Sequence, residues 1–357
     1  MRYLGILAVV SLILAVAATA QAITIDIDMV TVGNPGNAAD MRYNLDARPE
    51  GYGAVAYSYN ISKYEVTAGQ YTAFLKAVGG VDTYALYNTA MDPGGLGYGI
   101  TRSGGGTVLD PYTYAVAAGV ANRPISKVSW GDAARFCNWM ANGQPIGMQN
   151  ASTTEDGSYY LNSAITDADL LLVTRKANAT WALPTQDEWY KAAYYDPATG
   201  TYFDYPTSSN TAPERDMADA SGNNANYRGS TGTGTPYPID SPYDTTKVGE
   251  FQLSDSPYGT FDQGGNVNEW NEALYDSNTN RALRGGAFCD SVIEIDVGYP
   301  TQRWVNVLSA EFPNGNLPTK EQYTIGFRVS SPVPEPVTMA GLVLGIGSLA
   351  TYLRKRK

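Results

Sequence analysis

Two cysteines, Cys137 and Cys289, are the only thiols in a chain of 357 residues that contains no histidine. The missing histidine removes a His-ligated zinc or iron site, a Ser-His-Asp triad and a Cys-His pair. A general base would have to be a carboxylate, a lysine, a tyrosine or a thiolate. Two cysteines allow one disulfide and no thiolate cluster. Cys137 falls in the apolar stripe Ala133, Phe136, Cys137 and Met140, the position of a buried structural thiol. Cys289 follows Arg284-Gly285-Gly286 closely. Oxygen donors are more plentiful, because residues 196–264 are dense in Asp, Asn, Ser and Thr. Such groups suit calcium, and they also simply make turns. No P-loop, dinucleotide fingerprint, EF-hand loop or zinc spacing occurs.

Several helices must position these groups. Residues 181–197, WALPTQDEWYKAAYYDP, carry a helix with both ends written out. Thr185 and Glu188 form a capping box, Trp189, Ala192 and Ala193 share a face, and Pro197 stops the helix. Thr67 and Gln70 open an earlier helix whose face is Tyr71, Phe74, Leu75 and Val78, ended by Gly79-Gly80. Ser129, with Asp132 three residues on, opens the helix that carries Cys137, with Gly143 as its expected C-cap. Alternation predicts strands over 23–32 and 57–65, and a polar helix or loop around 167–172. Residues 80–122 and 196–264 lack long periodic runs; the former reads as surface loop with short elements and as a candidate recognition surface, the latter as a long irregular stretch. The expected architecture is one α+β domain over 23–330, with three capped helices and short strands.

Composition bounds the function. The chain is 43% hydrophobic with 27 Tyr and 6 Trp, so it folds. A net charge of -11 repels phosphate backbones, and no nucleic-acid partner is expected. Residues 1–22 carry Arg2, the apolar run Leu4–Ala18 and Ala20-Gln21-Ala22, the pattern of a signal peptide cleaved after Ala22. Residues 331–357 carry Val333-Pro334-Glu335-Pro336, an apolar run over 337–353 and a basic tail, which predicts a membrane helix held N-out, C-in.

Six motifs occur in order: Tyr64-Glu65-Val66-Thr67, PISKVSWGDA over 124–133, Leu183–Ala193, GNVNEW over 265–270, RGGAF over 284–288 and GFRV over 326–329. Together they resemble the formylglycine-generating enzyme, or sulfatase-modifying factor, family, from about Met29 to Ser330. The resemblance implies an irregular, loop-rich α+β fold related to C-type lectins. It also implies a structural calcium beside the GNVxEW motif, here at Asn266 and the carbonyl of Val267. Asn268 stands where the family usually has a bulkier aromatic residue. The C-terminal pattern resembles the PEP-CTERM sorting signal of Gram-negative bacteria. That resemblance implies processing by a signal peptidase and an exosortase-type enzyme. It further implies export across the inner membrane, a transient C-terminal membrane anchor, and delivery to the outer envelope or extracellular matrix.

The family's copper chemistry uses two cysteines on a short segment after the RGG motif. Here that segment holds Cys289 alone, and copper is not expected. Any retained catalysis would draw on Cys289, Arg284 and Arg303. Arg284 and Arg328 read first as partners for buried carboxylates such as Glu188 or Glu269. The expected function is a non-catalytic binding or structural role toward an envelope polysaccharide or protein. The alternative is an oxidoreductase or other enzyme acting on exported proteins or polysaccharide.

Overall fold

The computed structural model describes residues 24–42, 49–92, 99–228, 238–275, 277–290 and 314–333. The signal-peptide stretch 1–22 and the apolar run 337–353 lie outside them. Strand β1 (Met29–Val32) pairs antiparallel with β2 (Tyr59–Ser62). The expected strand over 23–32 is shorter because Ile25 turns its N–H and carbonyl to the Gln144 side-chain amide, at 2.7 and 2.8 Å. Helix α1 (Ala68–Val78) follows, with the Thr67–Gln70 capping box formed in both directions and Gly79 as C-cap. Strands β3 (Ile100–Ser103) and β4 (Thr113–Val116) make a hairpin within the stretch read as loop.

Helix α2 (Trp130–Ala141) opens on the Ser129–Asp132 capping box and ends at Asn142, one residue before the expected Gly143. The short α3 (Asp167–Leu172) resolves the helix-or-loop ambiguity as helix, with Thr166 as its N-cap. Helix α4 (Gln186–Tyr194) has the Thr185–Glu188 box. It runs directly into β5 (Tyr195–Asp196), which pairs with β6 (Thr201–Tyr202). The central sheet contains β7 (Asn268–Tyr275), β8 (Asn280–Arg284), β9 (Asn314–Asn316) and β10 (Ile325–Phe327) in the order β10-β7-β8-β9. Strand β11 (Ser330–Pro332) returns to pair with β2. The result is an irregular α+β fold with mixed sheets, and the motifs named above occupy its centre.

One apolar core joins α1, α2 and the central sheet. Phe136 packs against Phe74, Trp139 and Phe327 with ring centroids 5.4, 5.8 and 5.3 Å apart. Such edge-on pairs add to the transfer free energy of the buried rings. Trp130 and Trp270 are fully buried and donate their indole N–H to the Asn271 and Val128 carbonyls, so neither carries an unpaired donor. Gly326 in β10 is required by close approach: a Cβ there would lie 2.4 Å from the Ile125 carbonyl oxygen.

The expectation of a membrane anchor is corrected. No helix among the described residues is long and apolar enough to cross a membrane. The transmembrane element, and the localisation built on it, therefore have no support in the fold.

Candidate functional site

Strand β7 sets the middle of the molecule. Its Glu269 is fully buried and meets Arg328 through both carboxylate oxygens, at 2.6 and 2.7 Å. The Trp189 indole of α4 donates to the same carboxylate at 2.6 Å. Arg328 also donates to the Ser62 and Phe261 carbonyls, at 3.0 and 2.8 Å, so one guanidinium ties β2, the 261 loop and β7 together. The pairing expected for Arg328 is met by Glu269. Glu188 instead pairs with Arg175, which also meets Glu272. Arg175 holds the Glu188 carboxyl below its ordinary value against the opposing effect of burial. This second network was not read from the sequence, because Arg175 lies outside every motif.

Beside the Arg328–Glu269 pair lie two further acids. Glu65 is buried, and neither carboxylate oxygen has a hydrogen-bond partner among the described residues. Burial raises its pKa well above the ordinary value, with the Asp262 and Glu269 charges adding to the effect. Burial pushes Asp262 up to about 6, although its carboxylate accepts the Gly249 N–H. Burial and the two neighbouring charges thus favour the neutral form of Glu65.

The RGG segment closes the other side of the sheet. The Arg284 guanidinium lies 4.7 Å over the Tyr52 ring and 5.2 Å over Tyr190. Gly285 takes φ +96, and a Cβ there would meet the Gln263 carbonyl at 2.8 Å. Cys289 is half-buried and free, as is the buried Cys137 on α2. Burial, with the neighbouring Asp290 charge, pushes the Cys289 thiol up to about 11 in spite of its hydrogen bond with Tyr323. Burial also raises the Cys137 thiol. Neither sulfur is a thiolate at neutral pH, and the two do not pair. Arg303 lies outside the described residues, so the structure brings Arg284 and Cys289 to one end of β8 and says nothing of the third candidate.

Asn266 takes φ +62 and is fully buried at the turn before β7. Its amide oxygen accepts the Thr246 N–H at 3.0 Å, the Thr246 hydroxyl at 3.3 Å and the Asn226 amide at 3.2 Å. The Thr246 backbone donor fixes that orientation, since an NH2 group could not face it. The Asn266 oxygen thus faces protein donors, while its amide nitrogen is buried with no hydrogen-bond partner among the described residues. Val267 is buried against Gly326. Among the described residues no group of three His, Cys, Asp or Glu could hold a metal ion. Val333 is the last described residue, and Pro334, Glu335 and Pro336 lie beyond it.

Residues 18–332 match the model of the sulfatase-modifying factor enzyme 1-like domain. No curated protein matches the chain. Among solved structures, the crystal structure of CarF is 20% identical, with a TM-score of 0.47, covering 86% of this chain and 99% of that one. Treponema denticola variable protein 1 is 18% identical, with a TM-score of 0.49 and coverage of 88% and 98%. PvdO from Pseudomonas aeruginosa is 16% identical, with a TM-score of 0.44 and coverage of 85% and 94%.

Proposed function

From a chain that belongs to the sulfatase-modifying factor enzyme 1-like family, we propose a non-catalytic binding domain that keeps the family's frame without its copper chemistry. One observation carries the proposal. The only two cysteines are both free, and burial holds both as thiols. Copper(I) binding and substrate-thiol oxidation need closely placed thiolates, which this donor set does not supply. The groups at the centre hold the frame instead. Arg328, Glu269 and Trp189 satisfy one another, and Arg284 is held over two tyrosine rings. The ligand class in this proposal is a polysaccharide or a protein. The finer kinship with the C-type lectin scaffold belongs to the same proposal, supported by the loop-rich connections.

Structural calcium enters the proposal in a narrower form. The Asn266 oxygen already accepts from protein donors, which puts the weight on the Val267 carbonyl and the oxygen-rich loops of 196–264 as donors. The sequence motif Val333–Pro336 supports a proposed processing site for an exosortase-type enzyme, as Ala20–Ala22 supports one for a signal peptidase. Intact-mass measurement on protein from the native cell tests both, and an uncut chain retires them.

The deciding experiment is metal content together with oxygen consumption on a cysteine-containing sulfatase peptide. The expected result is no tight copper and no turnover. Copper at one equivalent with turnover would overturn the proposal. Calcium is tested in the same sample: EGTA should lower the Tm if an ion is held, and an unchanged Tm removes calcium from the account.

A further inference from the structure

Tyr64 is a wall shared by two cavities. On one side a cleft of about 410 Å³ is lined by Tyr64, Asn122, Lys247, Gly249, Glu250 and Gln252, with Val248 its one aliphatic side chain. On the other side a cavity of about 90 Å³ lies between Tyr64, Thr67, Gln70 and the exposed Asp26 and Asp28. The larger cleft falls in the size range of small-ligand sites. The Asn122 amide, the Lys247 ammonium and the Glu250 carboxylate make no hydrogen bond or ion pair with another described residue. A donor, an acceptor and a cation are therefore left facing solvent around one aromatic ring.

The ring itself is held in place. Phe261 packs behind it at 5.6 Å, and the Lys63 ammonium lies 5.4 Å from the Tyr64 centroid and 5.2 Å from that of Phe261. Phe261 and Lys63 are joined by a backbone hydrogen bond of 2.9 Å, and Arg328 binds the carbonyl of Phe261. Gly249 lies against the ring edge with φ +67, where a Cβ would come within 2.4 Å of Tyr64. Its N–H is anchored on Asp262, and Val248 N–H on the Asn122 carbonyl. The buried acid and arginine network thus fixes both walls of the cleft. A preformed wall removes part of the ordering cost of binding.

We infer that this trough binds an oligosaccharide chain lying across Tyr64. This inference rests on the binding-domain reading above and names the ligand class. A sugar ring offers an apolar C–H face to an aromatic ring and hydroxyls to amides, carboxylates and ammonium groups around it. A peptide would call for apolar side-chain pockets or a free strand edge. Neither lining offers apolar side-chain pockets, being polar apart from Tyr64 and a single Val or Ile.

The test is isothermal titration of the full chain with chitohexaose, maltohexaose and a galacturonic acid hexamer, on wild type, Tyr64→Ala and Asn122→Ala. Binding of at least one hexamer is expected, weakened at least about tenfold by Tyr64→Ala. Asn122 is exposed, so its substitution leaves the Tm unchanged and weakens binding about threefold, the scale of one hydrogen bond. No binding by folded wild type up to about 10 mM saccharide overturns the inference. So does binding unchanged in both variants. Heat with a tryptic casein digest and none with the hexamers overturns it in favour of a peptide. Copper content and oxygen consumption, measured separately, report on the non-catalytic reading, so either idea can fail without the other.

Discussion

The α1–α2 half of the molecule and the connection from β6 to β7 fill their interiors by different means. Around α1 and α2 the interior is a contiguous set of rings and aliphatics, with Tyr71, Phe74, Phe136 and Trp139 in mutual contact. Between β6 and β7 the interior is organised by polar side chains. Asp219 accepts the Leu253 N–H, the Ser254 hydroxyl and the Asn224 amide. Asn224 in turn accepts the Asp216 N–H at 2.8 Å. Asn266 gathers Thr246 and Asn226, and the Gln263 amide reaches the Trp189 carbonyl at 3.0 Å. Apolar packing is non-directional and tolerates small displacements, whereas each polar hub depends on a few bonds of fixed geometry. The first half can therefore carry the frame while the second shapes loops that no regular ladder would permit.

The sharpest way to break this contrast is Phe136→Ala. It removes a ring that contacts both helices and the central sheet, and should cost about 3–5 kcal/mol. Chemical denaturation should show the whole domain losing stability in one transition. Asp219→Ala comes next, at about 3 kcal/mol, because three donors, two of them buried, lose their acceptor. Its signature differs: limited proteolysis should open the 203–264 stretch while hydrogen exchange in α1 and α2 keeps its protection. If Asp219→Ala instead lowered the protection of α1 and α2 by the same factor, the two regions would be one cooperative unit and the contrast would fall.

The same contrast explains what was legible in the sequence. The three capping boxes lie within four residues each, and their apolar faces repeat at helical spacing, so α1, α2 and α4 could be placed closely. The Arg328–Glu269 pair was foreseen as arginine against buried carboxylate, because both sit in motifs. Asp219 could not be found this way. Two of its three partners stand 34 and 35 positions away, and nothing in a run of turn residues separates a hub from an exposed Asp. Asn266 was singled out by its motif, but its oxygen faces Thr246, a partner that no local spacing encodes. The β3–β4 hairpin lies where the sequence reads only as loop with short elements, because strands of four residues are too short for alternation to register.

A smaller effect sharpens the comparison from the apolar side. Thr67→Ala removes the hydroxyl that accepts the Gln70 N–H and should cost about 1 kcal/mol by denaturant midpoint. Thr67 anchors the start of α1, whose buried face supplies the rest of the stability, so Tyr71 and Phe74 should keep the helix in place. Loss of the helical signal altogether would mean that the cap, and not the core, holds α1.

The smallest expected effect concerns pH, and it lies at the start of α2. Asp132, the third residue of that helix, is pushed up to about 6 by burial. Glu321 is pushed up to about 7 by burial, then by the Asp132 charge and a hydrogen bond with that carboxyl; Asn88 donates to it at 2.6 Å. The folded state therefore holds these protons more tightly than the unfolded chain does. Their contribution to stability is complete below about pH 4 and is lost as pH rises through about 6 to 7. Glu188 works in the opposite sense, since its depressed carboxyl contributes above its unfolded value and is lost as pH falls through the folded one. Between pH 5 and 7.5 the raised acids, this pair together with Asp262, should dominate, so the wild-type Tm should fall as pH rises. Glu321→Gln keeps the Asn88 contact and removes the titrating proton. Its Tm should vary less than that of wild type over the same interval, and an equal slope in both would place the titration elsewhere.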